Sequence, residues 1–191
     1  MGLRELTCPN VDARKPLYKT ARLYPIIFLA TLLTWLLHEY AHWQIGEWLG
    51  YRMRLTLNTA TSIDGDYSTI QHYIMIKGAG PAITVGQAIV FWLIVMHTEK
   101  DHLFPFLYLP FFMRAIAFLV SFLSPNDEAL IAIKLGLPFW SLPLFVTCFL
   151  ALLTISVARQ RNIDVVSLCA LTVVSFVAAL TIIIVDGVLF F

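Results

Sequence analysis

Long apolar stretches separated by short polar connections dominate the chain. They run near Leu23–Trp48, Ala79–Met96, Leu103–Leu123, Phe139–Val157 and Val165–Phe190, each close to the roughly 20 residues that a helix needs to cross a bilayer. The pattern predicts about five transmembrane helices. Between the first two the texture changes. "RMRLTLN" alternates polar and apolar residues, Asp64-Gly65 is a turn signal, and "YSTIQHYIMI" is rich in strand formers, so a small β-hairpin is expected within residues 51–77. A hairpin edge cannot face lipid, because its backbone groups would go unpaired. It is expected at the membrane surface or folded back between the helices. The fold class is therefore an all-α polytopic membrane protein with one hairpin between its first and second helices.

Composition sharpens this reading. Of 191 residues, 59% are hydrophobic and only 13% charged, with a mean hydropathy of +0.79, whereas soluble domains carry about 25% charged residues. The bilayer is the expected surrounding. A net charge of +1 gives no reason to expect a nucleic-acid partner. Residues 1–22 form a polar tail without the apolar core of a cleavable signal, so Leu23 onward reads as a retained signal anchor. Arg4, Arg14, Lys15, Lys19, Arg22, Lys100, Arg159 and Arg161 fall on one side of the expected topology and Arg52, Arg54, Lys77 and Lys134 on the other, which favours a cytoplasmic N-terminus. Cys8, Cys148 and Cys169 are an odd number, two of them inside spans. They suggest neither a disulfide framework nor a cysteine metal site.

The chemistry sits in "HEYAH", residues 38–42 of the first span. Residues four apart share a helix face, so His38 and His42 can direct both imidazoles at one ion, and Glu39 can reach a water beside it. Polar groups near the middle of a bilayer cost roughly 2.5–3.5 kcal/mol each on insertion scales. Three of them within a span therefore need partners, and a single zinc ion with Glu39 as general base accounts for all three. Five histidines are too few for a di-iron oxygenase. A metal transporter would want a trail of further His or acidic groups through the bundle, and none is seen.

At these residues the chain resembles the site-2 protease family of intramembrane zinc metalloproteases. "HEYAH" matches that family's HExxH motif. "GAGP" at 78–81, opening the second helix, is similar to its Gly-Pro motif, with Thr84 where the family has Asn. "SPNDEALIA" at 124–132 supplies the Pro, Asn and Asp of its third motif without the following Gly. The likeness covers roughly residues 23–136, a three-helix core with the hairpin, and leaves 137–191 as two supporting helices. It implies an intramembrane endopeptidase acting on a membrane-protein substrate, which the hairpin receives in extended form. Carried onto this chain, it implies Glu39 as the catalytic base, His38 and His42 as metal ligands, and Gly80, Pro81, Thr84, Asn126 and His72 near the substrate. The alternative is a catalytically inactive scaffold or regulatory subunit that keeps the fold. Oligomeric state is not indicated.

For the third metal ligand the chain offers Asp127, Asp186 and, less favourably, Glu128. Topology places the helix ends carrying His42, Asp127 and Asp186 on one side. Asp127 follows the family's motif order and lies beside Pro125 and Asn126 at an expected helix start. Asp186-Gly187 preserves the family's dipeptide but stands five residues from the end of the sequence. Asp127 is the hypothesised ligand, with Asp186 interfacial or paired elsewhere. Arg114, mid-span, is expected to pair with an acid, and Gln87 to satisfy local partners. His97 and His102 flank a loop away from the site.

Overall fold

The computed structural model describes residues 23–190, so the polar tail of residues 1–22, with Cys8, and Phe191 lie outside it. The elements in chain order are α1 (Leu23–Trp48), β1 (Met53–Leu55), β2 (Ala60–Ser62), α2 (Ile70–His97), a 3-10 turn (Asp101–Leu103), α3 (Phe104–Val120), α4 (Asp127–Lys134), α5 (Ser141–Gln160) and α6 (Val165–Phe190). Four of these, α2, α3 with its 3-10 turn, α5 and α6, are long and apolar enough to cross a membrane, as a multi-pass membrane protein requires. The 26 residues of α1 would measure about 39 Å. This helix is not among the four, and its second half carries His38, Glu39 and His42.

The expected hairpin is present but smaller and differently turned. β1 and β2 pair antiparallel over three residues each, with Met53 opposite Ser62, Arg54 opposite Thr61 and Leu55 opposite Ala60. The reversal lies at Thr56–Thr59. There the Thr56 amide donates to the Thr59 carbonyl at 2.8 Å, and the Thr56 hydroxyl accepts from the amides of Asn58 and Thr59. The Asp64-Gly65 turn instead follows the hairpin and leads into α2. "IQHYIMI" is helix, not strand. Thr69 caps α2, its side chain accepting the His72 amide at 3.1 Å, and a threonine cap outweighs the strand preference of a short Ile/Tyr run. The second helix therefore begins nine residues before its expected start, and "GAGP" lies inside it rather than opening it.

The bundle core gathers Phe104, Leu107, Tyr108 and Phe112 of α3, Ala88 and Val95 of α2, Leu150 and Val157 of α5, Leu171 of α6 and Ile27 of α1. At the end away from the hairpin, Arg161 donates to the carbonyls of Val95, Met96 and Thr98, satisfying groups that the C-terminus of α2 leaves open. The His97 ring bonds its own helix there, at Leu93. At the other end α4 is short and begins at the expected helix start. Asn126 caps it, accepting the Ala129 amide at 3.3 Å. Gly136, with φ +73, ends it by letting the Leu137 and Gly136 amides reach the carbonyls of Ala132 and Ile133, an arrangement that favours glycine.

A buried ion pair and a carboxylate–amide hydrogen bond tie distant elements. Arg114 of α3 donates to Glu128 of α4 at 3.0 Å, each side chain 5% exposed, which is the acid that Arg114 was expected to find. Asp186, buried near the end of α6, accepts the Leu57 amide in the hairpin turn at 2.7 Å. Its carboxylate anchors the hairpin and lies outside the group formed by His38, His42 and Asp127. Asp186→Ala should leave that amide unpaired and cost about 1–3 kcal/mol. Thermal unfolding in detergent and protease sensitivity of the hairpin check this: both should worsen while metal content stays at the wild-type level.

Candidate metal centre

His38 and His42 are both buried on the same face of α1, four residues apart. The His38 Nε2 and His42 Nε2 atoms lie 3.1 Å from one another, and each is 3.2 Å from Oδ2 of Asp127, the first residue of α4. Among the described residues this is the one group of three His, Cys, Asp or Glu side chains able to share an ion. A tetrahedral zinc site with bonds of about 2.0–2.1 Å has ligand-to-ligand edges of about 3.3 Å, so the spacing is that of a ligand shell.

The proton inventory supports the same reading. His42 Nδ1–H donates to the Ile76 carbonyl at 2.6 Å, so in the neutral ring Nε2 carries only a lone pair. That lone pair faces both His38 and the carboxylate oxygen of Asp127. One proton placed among three such atoms serves at most two of the contacts. A cation serves all three.

The approach of α2 makes this cluster possible. A Cβ built on Gly80 would overlap both the His38 and His42 rings, so the helix can lie over the imidazoles only because that residue has no side chain. Pro81 and Thr84 are buried in the same helix. The Thr84 hydroxyl donates to the carbonyls of Gly80 and Pro81 at 3.2 and 2.9 Å, so its proton is committed to the backbone. Gln87 bridges Thr34 and the Phe106 carbonyl at 2.9 and 3.0 Å, as expected for a locally satisfied amide.

Glu39 lies outside the three-atom group but lines the adjoining cavity of about 500 Å³, together with His38, Asn58, Thr59, Arg114, Asn126 and Asp127. Phe112, Ile116, Phe176 and Ile183 supply part of its apolar wall. Asn126 combines the capping of α4 with a place on this wall. His72 is elsewhere, its Nδ1 2.9 Å from the Tyr51 hydroxyl in the first turn of α2, and it is not part of the cluster. A larger groove of about 690 Å³ runs along α1 and α2 beside Leu37, Ile45, Ile74 and Met75. It contains none of the cluster residues.

The sequence reading missed one neighbour. Lys77 reaches Asp127, Nζ to Oδ1 at 3.4 Å. Lys77 stands three residues before Gly80 on one helix face, a relation that exists only because the segment is helix rather than strand. Compared with protein-family models, curated proteins and solved structures, the chain matches none.

Two substitutions test the centre. Asp127→Ala should abolish stoichiometric metal binding in purified protein, measured by elemental analysis, where Asp186→Ala does not. Gly80→Ala should also lose the metal while remaining helical by circular dichroism, because the added methyl displaces the imidazoles.

Proposed function

We propose that this chain is a zinc-dependent intramembrane endopeptidase, hydrolysing a peptide bond in or beside a transmembrane segment of a membrane-protein substrate. One observation carries the reading: two imidazole nitrogens and one carboxylate oxygen converge, desolvated, beside the separate carboxylate of Glu39. His38, His42 and Asp127 would hold the ion, which when bound supplies a Lewis acid that polarises the scissile carbonyl and makes a neighbouring water more acidic. Three protein ligands leave the open position that catalytic zinc sites keep.

The other tasks fall to the chain itself. Glu39 takes a proton from the attacking water and returns it to the leaving amine nitrogen as the C–N bond breaks. The cavity wall of Phe112, Ile116, Phe176 and Ile183 holds an apolar side chain of the substrate and keeps bulk water out. A substrate helix must unwind first, since its carbonyls are otherwise engaged in its own hydrogen bonds.

The hairpin is built to compensate for those lost bonds. Bonds from the Thr56 amide to Thr59 and from the Ile63 amide to Arg52 set the ladder phase, so Met53 and Leu55 of β1, and Ala60 and Ser62 of β2, point their backbone groups outward. On the β1 side the Met53 amide is taken by Glu47 at 2.8 Å and the Leu57 amide by Asp186. The β2 edge carries no such carboxylate among the described residues, the Tyr67 side chain meeting it at the Ser62 backbone, and it continues from Thr59 on the cavity wall. An extended peptide adds there by strand pairing.

Co-expression with a panel of single-span membrane proteins tests the activity. Wild type should generate a cleavage product, and Glu39→Gln, with its metal retained, should reduce the rate by at least about a hundredfold. Equal cleavage by the two proteins would exclude Glu39 as the base. A metal-loaded chain that cleaves nothing in either form would instead be a scaffold or regulatory subunit.

A further inference from the structure

We propose that Lys77 is a positioning residue of this centre: it holds one oxygen of Asp127 so that the carboxylate offers a single oxygen to the ion and a place stays open for water. The proposal rests on the metal-centre reading above. It starts from what can orient Asp127. As the first residue of α4, this aspartate could have spent its carboxylate on the helix's free amides, but Asn126 performs that capping. Among the described residues the Asp127 side chain has three partners, His38 and His42 at Oδ2 and Lys77 at Oδ1. Since the imidazoles belong to the ligand shell, Lys77 alone fixes the rotation of the carboxylate from outside it.

That rotation has a chemical consequence. A carboxylate free to turn can present both oxygens to a cation, and a two-oxygen grip beside two imidazoles leaves water only a fifth position, one more than the four that zinc normally uses. With Oδ1 held at 3.4 Å by an ammonium group and Oδ2 3.2 Å from both Nε2 atoms, only one oxygen faces the cluster. Partners of this kind outside the ligand shell orient the ligands and are typically worth about 10–100-fold in metal affinity or activity. Arg114, the cation on the cavity wall, gives a guanidinium nitrogen to Glu128 and makes no ion pair with Asp127. The lysine side chain is only 21% exposed and lies on the face of α2 that Gly80 brings against the histidines. Its charge is thus directed at the centre.

Cobalt(II) tests this directly, since four-coordinate cobalt absorbs visible light far more strongly than five-coordinate cobalt. The full chain, purified in detergent and stripped of metal, is titrated with cobalt chloride as wild type, Lys77→Met and Lys77→Arg. Wild type should bind one equivalent with the intense four-coordinate band. Lys77→Met should still bind cobalt, but with the band several-fold weaker and with substrate cleavage by the zinc form reduced about 10–100-fold. Lys77→Arg should restore both readings. Should the methionine variant fail to fold, Lys77→Leu serves in its place. An intense, wild-type-like band in Lys77→Met overturns the proposal, as does failure of Lys77→Arg to restore it. A wild-type protein that takes up no cobalt and no zinc overturns the metal reading as a whole, which separates that failure from an error about Lys77.

Discussion

The convergence of His38, His42 and Asp127 is the constraint around which the rest of the structure is arranged. Three groups rich in lone pairs, within 3.2 Å of one another and away from bulk water, repel unless something positive lies among them. The surrounding residues act to hold that geometry. Gly80 removes the side chain that would block the approach of α2. The Ile76 carbonyl turns His42 so that Nε2 faces inward. Asn126 starts α4 one residue before the aspartate, and Arg114 secures α4 to α3 through Glu128.

The same economy of polar groups explains the hairpin. Backbone amides withdrawn from water need internal partners, and two amides on the β1 side find carboxylates, Glu47 from α1 and Asp186 from α6. The Trp35 indole donates to Asn58 at the tip of the turn. At its base, the Arg52 guanidinium bonds Asp64 and holds that exposed carboxyl below the usual carboxylate range. The hairpin is thereby anchored at its turn and at its neck and leaves the edge of β2 outward, beside the cavity that contains Glu39. Structural and proposed catalytic carboxylates are thus distinguished by their partners: Asp186 and Glu47 bond amides, Glu128 bonds a guanidinium, and Asp127 faces imidazoles.

Two differences between expectation and structure have a common cause. The segment "YSTIQHYIMI" contains residues that favour strands, yet it begins α2, since the Thr69 cap and the packing of Ile76 against the bundle override a weak local preference. Taking it as strand also concealed Lys77 and displaced the "GAGP" stretch to the start of a helix. The start of α4 is legible in Asn126 and the acidic first turn, but its extent is not, because eight residues are too few to show a convincing apolar period.

What the sequence determined by itself is local. Length and apolarity of the runs specify the long helices, and the four-residue spacing of His38 and His42 with Glu39 between them specifies a polar cluster on one turn of α1. Tertiary structure decided which groups meet that cluster. Asp127 is 89 residues from His38 and 85 from His42, and Asp186 had the better-looking dipeptide and the same side of the topology. Only the packing of α2 on α1 and α4 delivers one aspartate to the histidines, while the approach of α6 sends the other to the hairpin. Helix periodicity acts over a few residues, whereas the choice between two chemically identical carboxylates depends on where distant helices come to rest.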